Sequence, residues 1–194
     1  MKWKSIVPSL GSCFLGALLL VAAWAKAVEP GAFVEQVQLE GLDFLFSSKT
    51  VALSTLALET GLGMALLTGL RQLWILIPSA TLISFFLFLT ARNYWLVLEG
   101  LRDENSSCGC FGNLLERTPG EALSQDLLLL LPPLLLAFYN RKSISKSFPG
   151  IRLLLSAILA IGVVVFAAQN PDLHFIKIAS EIGSSETQKH FYRT

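Results

Sequence analysis

The segment Ser107-Cys108-Gly109-Cys110-Phe111-Gly112 places two of the chain's three cysteines one residue apart, behind the polar run Asp103, Glu104, Asn105 and Ser106. A buried structural cysteine is ordinarily solitary on an apolar face, whereas this pair is dressed for exposure and for thiol chemistry. The intervening glycine tolerates the sharp turn that a small disulfide ring requires. A ring so strained belongs to the labile, oxidising class of disulfides. Two other readings stand beside it. The thiolates could hold a soft ion such as Cu(I), although zinc would need four ligands and His174 and His190 lie in a distant tail, so no metal is assigned. Alternatively, the segment is a tight turn with inert cysteines.

Four charged residues inside or beside apolar runs are the supporting candidates, because each costs several kcal/mol in hydrocarbon unless it pairs, snorkels or faces a cavity. Lys26, Arg92 and Asp126 sit near run ends and are expected to gather on the cysteine side, while Glu59 sits deeper. Glu59 reads equally as a packing ion pair and as a proton-transfer group. Lys26 and Arg92 would lower a nearby thiol pKa, and Asp103 and Glu104 would raise it.

The elements that must position these groups are membrane helices. The chain is 53% hydrophobic and 15% charged over 194 residues, with mean hydropathy +0.60, which marks an integral membrane protein. A net charge of +1 and scattered basic residues argue against nucleic-acid binding. Crossing roughly 30 Å of hydrocarbon takes about 20 helical residues. Five runs qualify: residues 6–25, 51–70 (interrupted by Glu59), 73–98, 123–138 and 151–168. The fourth is about the shortest that spans, and Pro132-Pro133 should kink it. Continuous apolarity without alternation excludes a barrel. Small residues, Gly11, Gly16 and Ala17, then Gly61, Gly63, Ala65 and Gly69, would let helices approach closely. The expected fold is an all-α polytopic bundle.

One set of short loops carries Lys2, Lys4, Arg71, Arg141, Lys142, Lys146 and Arg152, and the opposite set collects Glu29, Glu35, Glu40 and Asp43, then Asp103, Glu104, Glu116 and Glu121. Positive-inside therefore predicts a cytoplasmic amino terminus in the inner (plasma) membrane and an extracytoplasmic cysteine loop, in a periplasm where disulfides persist. Ala25-Lys26-Ala27 resembles a signal-peptidase site, but the apolar stretch before it is long for a leader, so an uncleaved first helix is the simpler reading. Cys13 reads as a packing residue.

In order along the chain, Ala25-Lys26-Ala27-Val28-Glu29-Pro30 with Phe33, Leu58-Glu59-Thr60-Gly61-Leu62-Gly63, Glu99-Gly100-Leu101, Cys108-Gly109-Cys110-Phe111-Gly112 and Gln125-Asp126-Leu127-Leu128 together resemble the MauE/DoxX family of redox-associated membrane proteins. The resemblance spans about residues 22–138. It implies a four-helix membrane domain over residues 1–140, to which this chain adds a further transmembrane helix at 141–168 and an extracytoplasmic tail at 169–194. It also implies a part in periplasmic thiol–disulfide handling, with the MauE branch tied to maturing the disulfide-rich small subunit of methylamine dehydrogenase. Cys108 and Cys110 become the catalytic candidates, with Lys26, Glu59, Arg92 and Asp126 in support.

The leading expectation is thus a membrane component that exchanges disulfides with a periplasmic thioredoxin-like protein or a disulfide-containing client. No cofactor is evident in the residues, and a lipid quinone is the natural electron sink. The rival, from another class, is a non-catalytic assembly or chaperone subunit whose loop docks a secreted client, so the chain's status as an enzyme stays open. Transport is weaker, because Glu59 is the acid placed well within a run and inverted repeats are not evident.

Overall fold

A computed structural model describes residues 3–42, 44, 46–102, 118–139 and 149–170. Helices α1 (Trp3–Val28), α2 (Pro30–Leu39), α3 (Ser48–Leu67), α4 (Leu73–Leu98), α5 (Pro119–Phe138) and α6 (Pro149–Gln169) follow one another, and no strand occurs among the described residues. All except α2 are long and apolar enough to cross a membrane.

Residues 29–49, read from sequence as a long loop, contain α2. Pro30 begins it where a missing N–H costs nothing, and its buried residues Val34 and Val37 pack with Ala52 of α3. Gly41, at φ +67°, ends the helix in the left-handed region, with its N–H donating to the Gln38 carbonyl.

The fourth span is longer than its apolar run. Thr118 caps α5: its hydroxyl accepts from the Glu121 N–H at 3.4 Å while the Glu121 carboxylate accepts from the Thr118 N–H at 3.1 Å. With Pro119 at the first position, this box starts the helix before residue 123 and brings it to 20 residues. The polar residues at its start had read as loop.

Glycines set the helix spacing. A Cβ on Gly16 would fall 2.6 Å from both the Gly63 carbonyl oxygen and the Leu67 amide nitrogen, and one on Gly11 would fall 2.7 Å from Leu136 Cβ. Close backbone approach at these points seats α1 between α3 and α5, the packing that association in lipid favours. Leu15, Leu19, Leu66, Leu76, Ile83 and Leu130 fill the core that results. Gly69 has a different job, closing α3 at φ +81° with open space around it.

Helix α6 lies on α3 and α1. Trp24 stacks on Phe166 at 6.0 Å, Arg152 donates to the Thr68 carbonyl at one end, and Asn170 donates to the Val28 carbonyl at the other. One end of the bundle therefore holds the α3–α4 turn and the start of α6. The other holds the end of α1, α2, the start of α3, the end of α4, the start of α5 and the end of α6. Lys26, Arg92 and Asp126 belong to this second end, and Glu59 lies midway along α3.

Candidate functional site

Lys26 occupies the last turn of α1 and is buried, as is Glu59 on α3. The Lys26 ammonium donates to Glu59 Oε1, forming an ion pair inside the bundle. Its nitrogen also lies 4.4 Å from the centre of the Phe86 ring and 5.0 Å from that of Phe33, so aromatic faces take over part of the lost hydration. Glu59 Oε2 has no hydrogen-bond partner among the described residues. Glu59 lies midway along α3, deeper than the run ends, and a packing ion pair is one of its two sequence readings; its partner is Lys26.

A second cluster lies closer to the bundle end. Glu40, the C-cap of α2, accepts hydrogen bonds from Arg92 at 2.6 Å, from Asn93 at 2.8 Å and from Arg102 at 2.8 Å. Arg102 also donates to the Asn93 side-chain oxygen. One carboxylate thus ties α2 to α4 and to the chain just beyond it. Glu40 is 3% exposed and Arg92 is 40% exposed, so the pair is half solvated on the arginine side. Arg92 was expected near this end. Glu40, Asn93 and Arg102 were not singled out, and the sequence signal for them was slight: Glu40 counted as one loop acid among several.

Asp126, in the early turns of α5, is buried, and its Oδ2 lies 3.4 Å from the Thr90 hydroxyl, which also donates to the Phe86 carbonyl at 2.9 Å. Asp126 therefore reaches the same patch of α4 that carries Lys26's aromatic neighbour.

Part of this set lines one cleft, together with apolar residues such as Val37, Val51 and Leu89. Lys26, Phe33, Gln36, Glu40, Thr55, Phe86, Thr90 and Asn93 contribute to its walls, and its free volume is about 50 Å³, room for a few water molecules. The structure brings Lys26 and Glu59 together directly, links Arg92 to the cleft through Glu40, and links Asp126 to it through Thr90. Both arginine and lysine are already engaged by carboxylates, Arg92 by Glu40 and Lys26 by Glu59.

Cys108 and Cys110 lie outside the described residues, as do His174 and His190. The chain leaves the described part at Arg102, held by Glu40 and Asn93, and returns at Thr118, the cap of α5. Both anchor points belong to the cleft end of the bundle. Cys13 packs in the opposite half, its thiol 3.6 Å from the Leu67 carbonyl. Among the described residues, no group of three or more His, Cys, Asp or Glu side chains is arranged to hold a metal ion.

The order of these residues along a helical membrane bundle finds its counterpart in one family. The chain matches the family described as MauE, methylamine utilisation protein MauE, over residues 4–139. It belongs to the MauE family. No curated protein and no solved structure matches it. The MauE match takes in α1 to α5 and ends at Tyr139, the C-cap of α5, so α6 falls beyond it.

Proposed function

We propose that this MauE-family chain is an inner-membrane component of thiol–disulfide exchange outside the cytoplasm, serving the maturation of a secreted, disulfide-rich redox protein. A methylamine dehydrogenase-type client fits the family's description. The observation that carries this reading is the anchored base of the cysteine segment: Glu40 and Asn93 hold Arg102 just before it, and the capping box holds Thr118 just after it. The described chain on either side of the cysteines is thus fixed to the same end of the bundle, which supports an exchange site at that end.

In the exchange, one thiolate of Cys108 or Cys110 attacks a disulfide sulfur of a thioredoxin-like partner or client, and the displaced sulfur leaves as a thiolate. The second cysteine then attacks the mixed disulfide, closing the Cys-Gly-Cys ring and releasing the partner reduced. Run in reverse, the ring oxidises a partner dithiol. Electrons and protons balance in either direction, because one dithiol and one disulfide exchange places.

Acid trapping of intact cells followed by alkylation with a mass tag, in a Cys13→Ala background, tests the reading. The pair should be oxidised at rest, become reduced when respiration is blocked, and yield a mixed disulfide with a secreted protein once one cysteine is changed to serine. If the double Cys108→Ser/Cys110→Ser variant supports client maturation at normal membrane abundance, the exchange reading falls and the segment is a docking element of a non-catalytic assembly subunit.

A further inference from the structure

The cleft does not stand alone. Along the α3–α4 seam it meets a second, apolar groove lined by Leu58, Leu62, Ile77, Pro78, Leu82 and Phe85, with free volume of about 410 Å³. Phe85 lines both. Leu58 is 53% exposed and Ile77 is 55% exposed, so the groove opens sideways along the hydrophobic flank of two membrane-spanning helices. The two adjoin at Phe85 as a recess with a small, mostly apolar throat that Lys26, Glu40, Thr90 and Asn93 enter and a wide hydrocarbon-lined groove beside it. That is the outline of an amphiphile with a small head and an apolar tail.

We infer that this recess binds a neutral lipid quinone, with a head-group oxygen turned to Lys26 and the isoprenoid tail along Leu58, Leu62, Ile77 and Leu82. Three features choose this occupant over a phospholipid. Lys26 is balanced by Glu59, so the throat offers a hydrogen-bond donor without surplus positive charge and suits a carbonyl oxygen better than a phosphate anion. The throat has room for an oxygen and a few waters, not for a bulky charged head, which leaves the ring against Phe85 at the junction. The groove beyond it is apolar and faces lipid, from which a quinone enters without crossing water. Glu59 takes one of the three N–H groups of Lys26, leaving donors for the head-group oxygen.

Occupancy of the recess is independent of the cysteines, whereas its use as an electron acceptor rests on the exchange reading. Joining the Cys108 and Cys110 thiols as a disulfide gives up two electrons and two protons, which together convert a quinone to its quinol.

The test is photolabelling of the full chain in phosphatidylcholine nanodiscs by an azido-benzoquinone with a decyl tail, with binding of the unlabelled quinone measured by competition. Labels should fall within residues 51–62 and 77–93. Leu62→Trp, which fills the groove, should weaken binding about tenfold with unchanged thermal unfolding; Ile77→Trp, on the opposite wall and more exposed, serves if the first variant disturbs folding. Labelling elsewhere, undiminished binding to both tryptophan variants, or displacement by excess phosphatidylglycerol would overturn the assignment, the last making the groove a site for bulk lipid. Quinone binding that persists in the Cys108→Ser/Cys110→Ser variant while no redox change occurs at the cysteines of the native chain would retain the site and sink the exchange reading instead.

Discussion

The Lys26 ammonium and the Glu59 carboxylate meet inside the helix bundle with their side chains 1% and 0% exposed, joining the last turn of α1 to the middle of α3. A buried pair of this kind adds little net stability over well-packed apolar residues, yet breaking it leaves one charge stranded. Lys26→Met or Glu59→Leu alone should therefore lower stability by about 3–5 kcal/mol. The double variant should recover much of that loss. Thermal unfolding in detergent of the two single variants and the double variant, arranged as a double-mutant cycle, checks it, and additive losses would mean that the charges do not depend on each other.

The Glu40 cluster predicts an order of effects. Glu40→Gln strips the acceptor charge from Arg92 and Arg102 together, Arg102→Gln removes one donor, and Arg92→Gln removes the more solvated one, at 40% exposure against 19% for Arg102. Exposed ion pairs contribute roughly 0–1 kcal/mol, so Arg92→Gln should be nearly silent. Glu40→Gln should cost the most and Arg102→Gln an intermediate amount, read from midpoints of thermal inactivation. An equal effect from all three substitutions would refute the geometry.

Glycine substitutions distinguish packing from permissiveness. Gly16→Ala drives a methyl into the backbone of α3, 2.6 Å from Gly63 oxygen, so α1 and α3 must separate. Gly162→Ala, on α6, meets nothing within 4 Å. The first should destabilise by about 1–3 kcal/mol, the range for overpacking, and the second should be neutral or slightly stabilising because alanine favours the helix. Unfolding by graded denaturant addition in mixed micelles resolves the two.

The spans were legible because membrane helices announce themselves by continuous apolarity: the third run, residues 73–98, coincides with α4. What escaped was written in other terms. Helix α2 has ten residues, too few for a span, and its Glu35, Gln36 and Gln38 read as loop although Pro30 and the spacing of Phe33, Val34 and Val37 carried a helical signal. The start of α5 was hidden in the same way, since a capping box is built from polar residues. At the site, an expensive charge in a span is visible from one sequence, but its partner is not. Lys26 and Glu59 were each recognisable as costly; that they answer one another depends on how α1 crosses α3, which Gly16 and Gly63 decide. Glu40 and Arg102 are separated by 62 residues and looked like ordinary surface charges until α2 brought them together.

Residues exposed at the two ends of the bundle allow the proposed orientation to be tested. Leu39, at the end of α2 and 67% exposed, lies at the cleft end, whereas Gln72 lies in the α3–α4 turn at the other. We propose that the end holding the α3–α4 turn faces the cytoplasm, as the positive-inside rule expects from the lysines and arginines of its loops. In a background lacking native cysteines, Leu39→Cys should therefore react with a membrane-impermeant maleimide added to intact spheroplasts, and Gln72→Cys only after the membrane is permeabilised. The reverse pattern would put the cleft, the Glu40 cluster and both anchors of the cysteine segment on the cytoplasmic side, in a reducing compartment where a strained Cys-Gly-Cys disulfide would not persist.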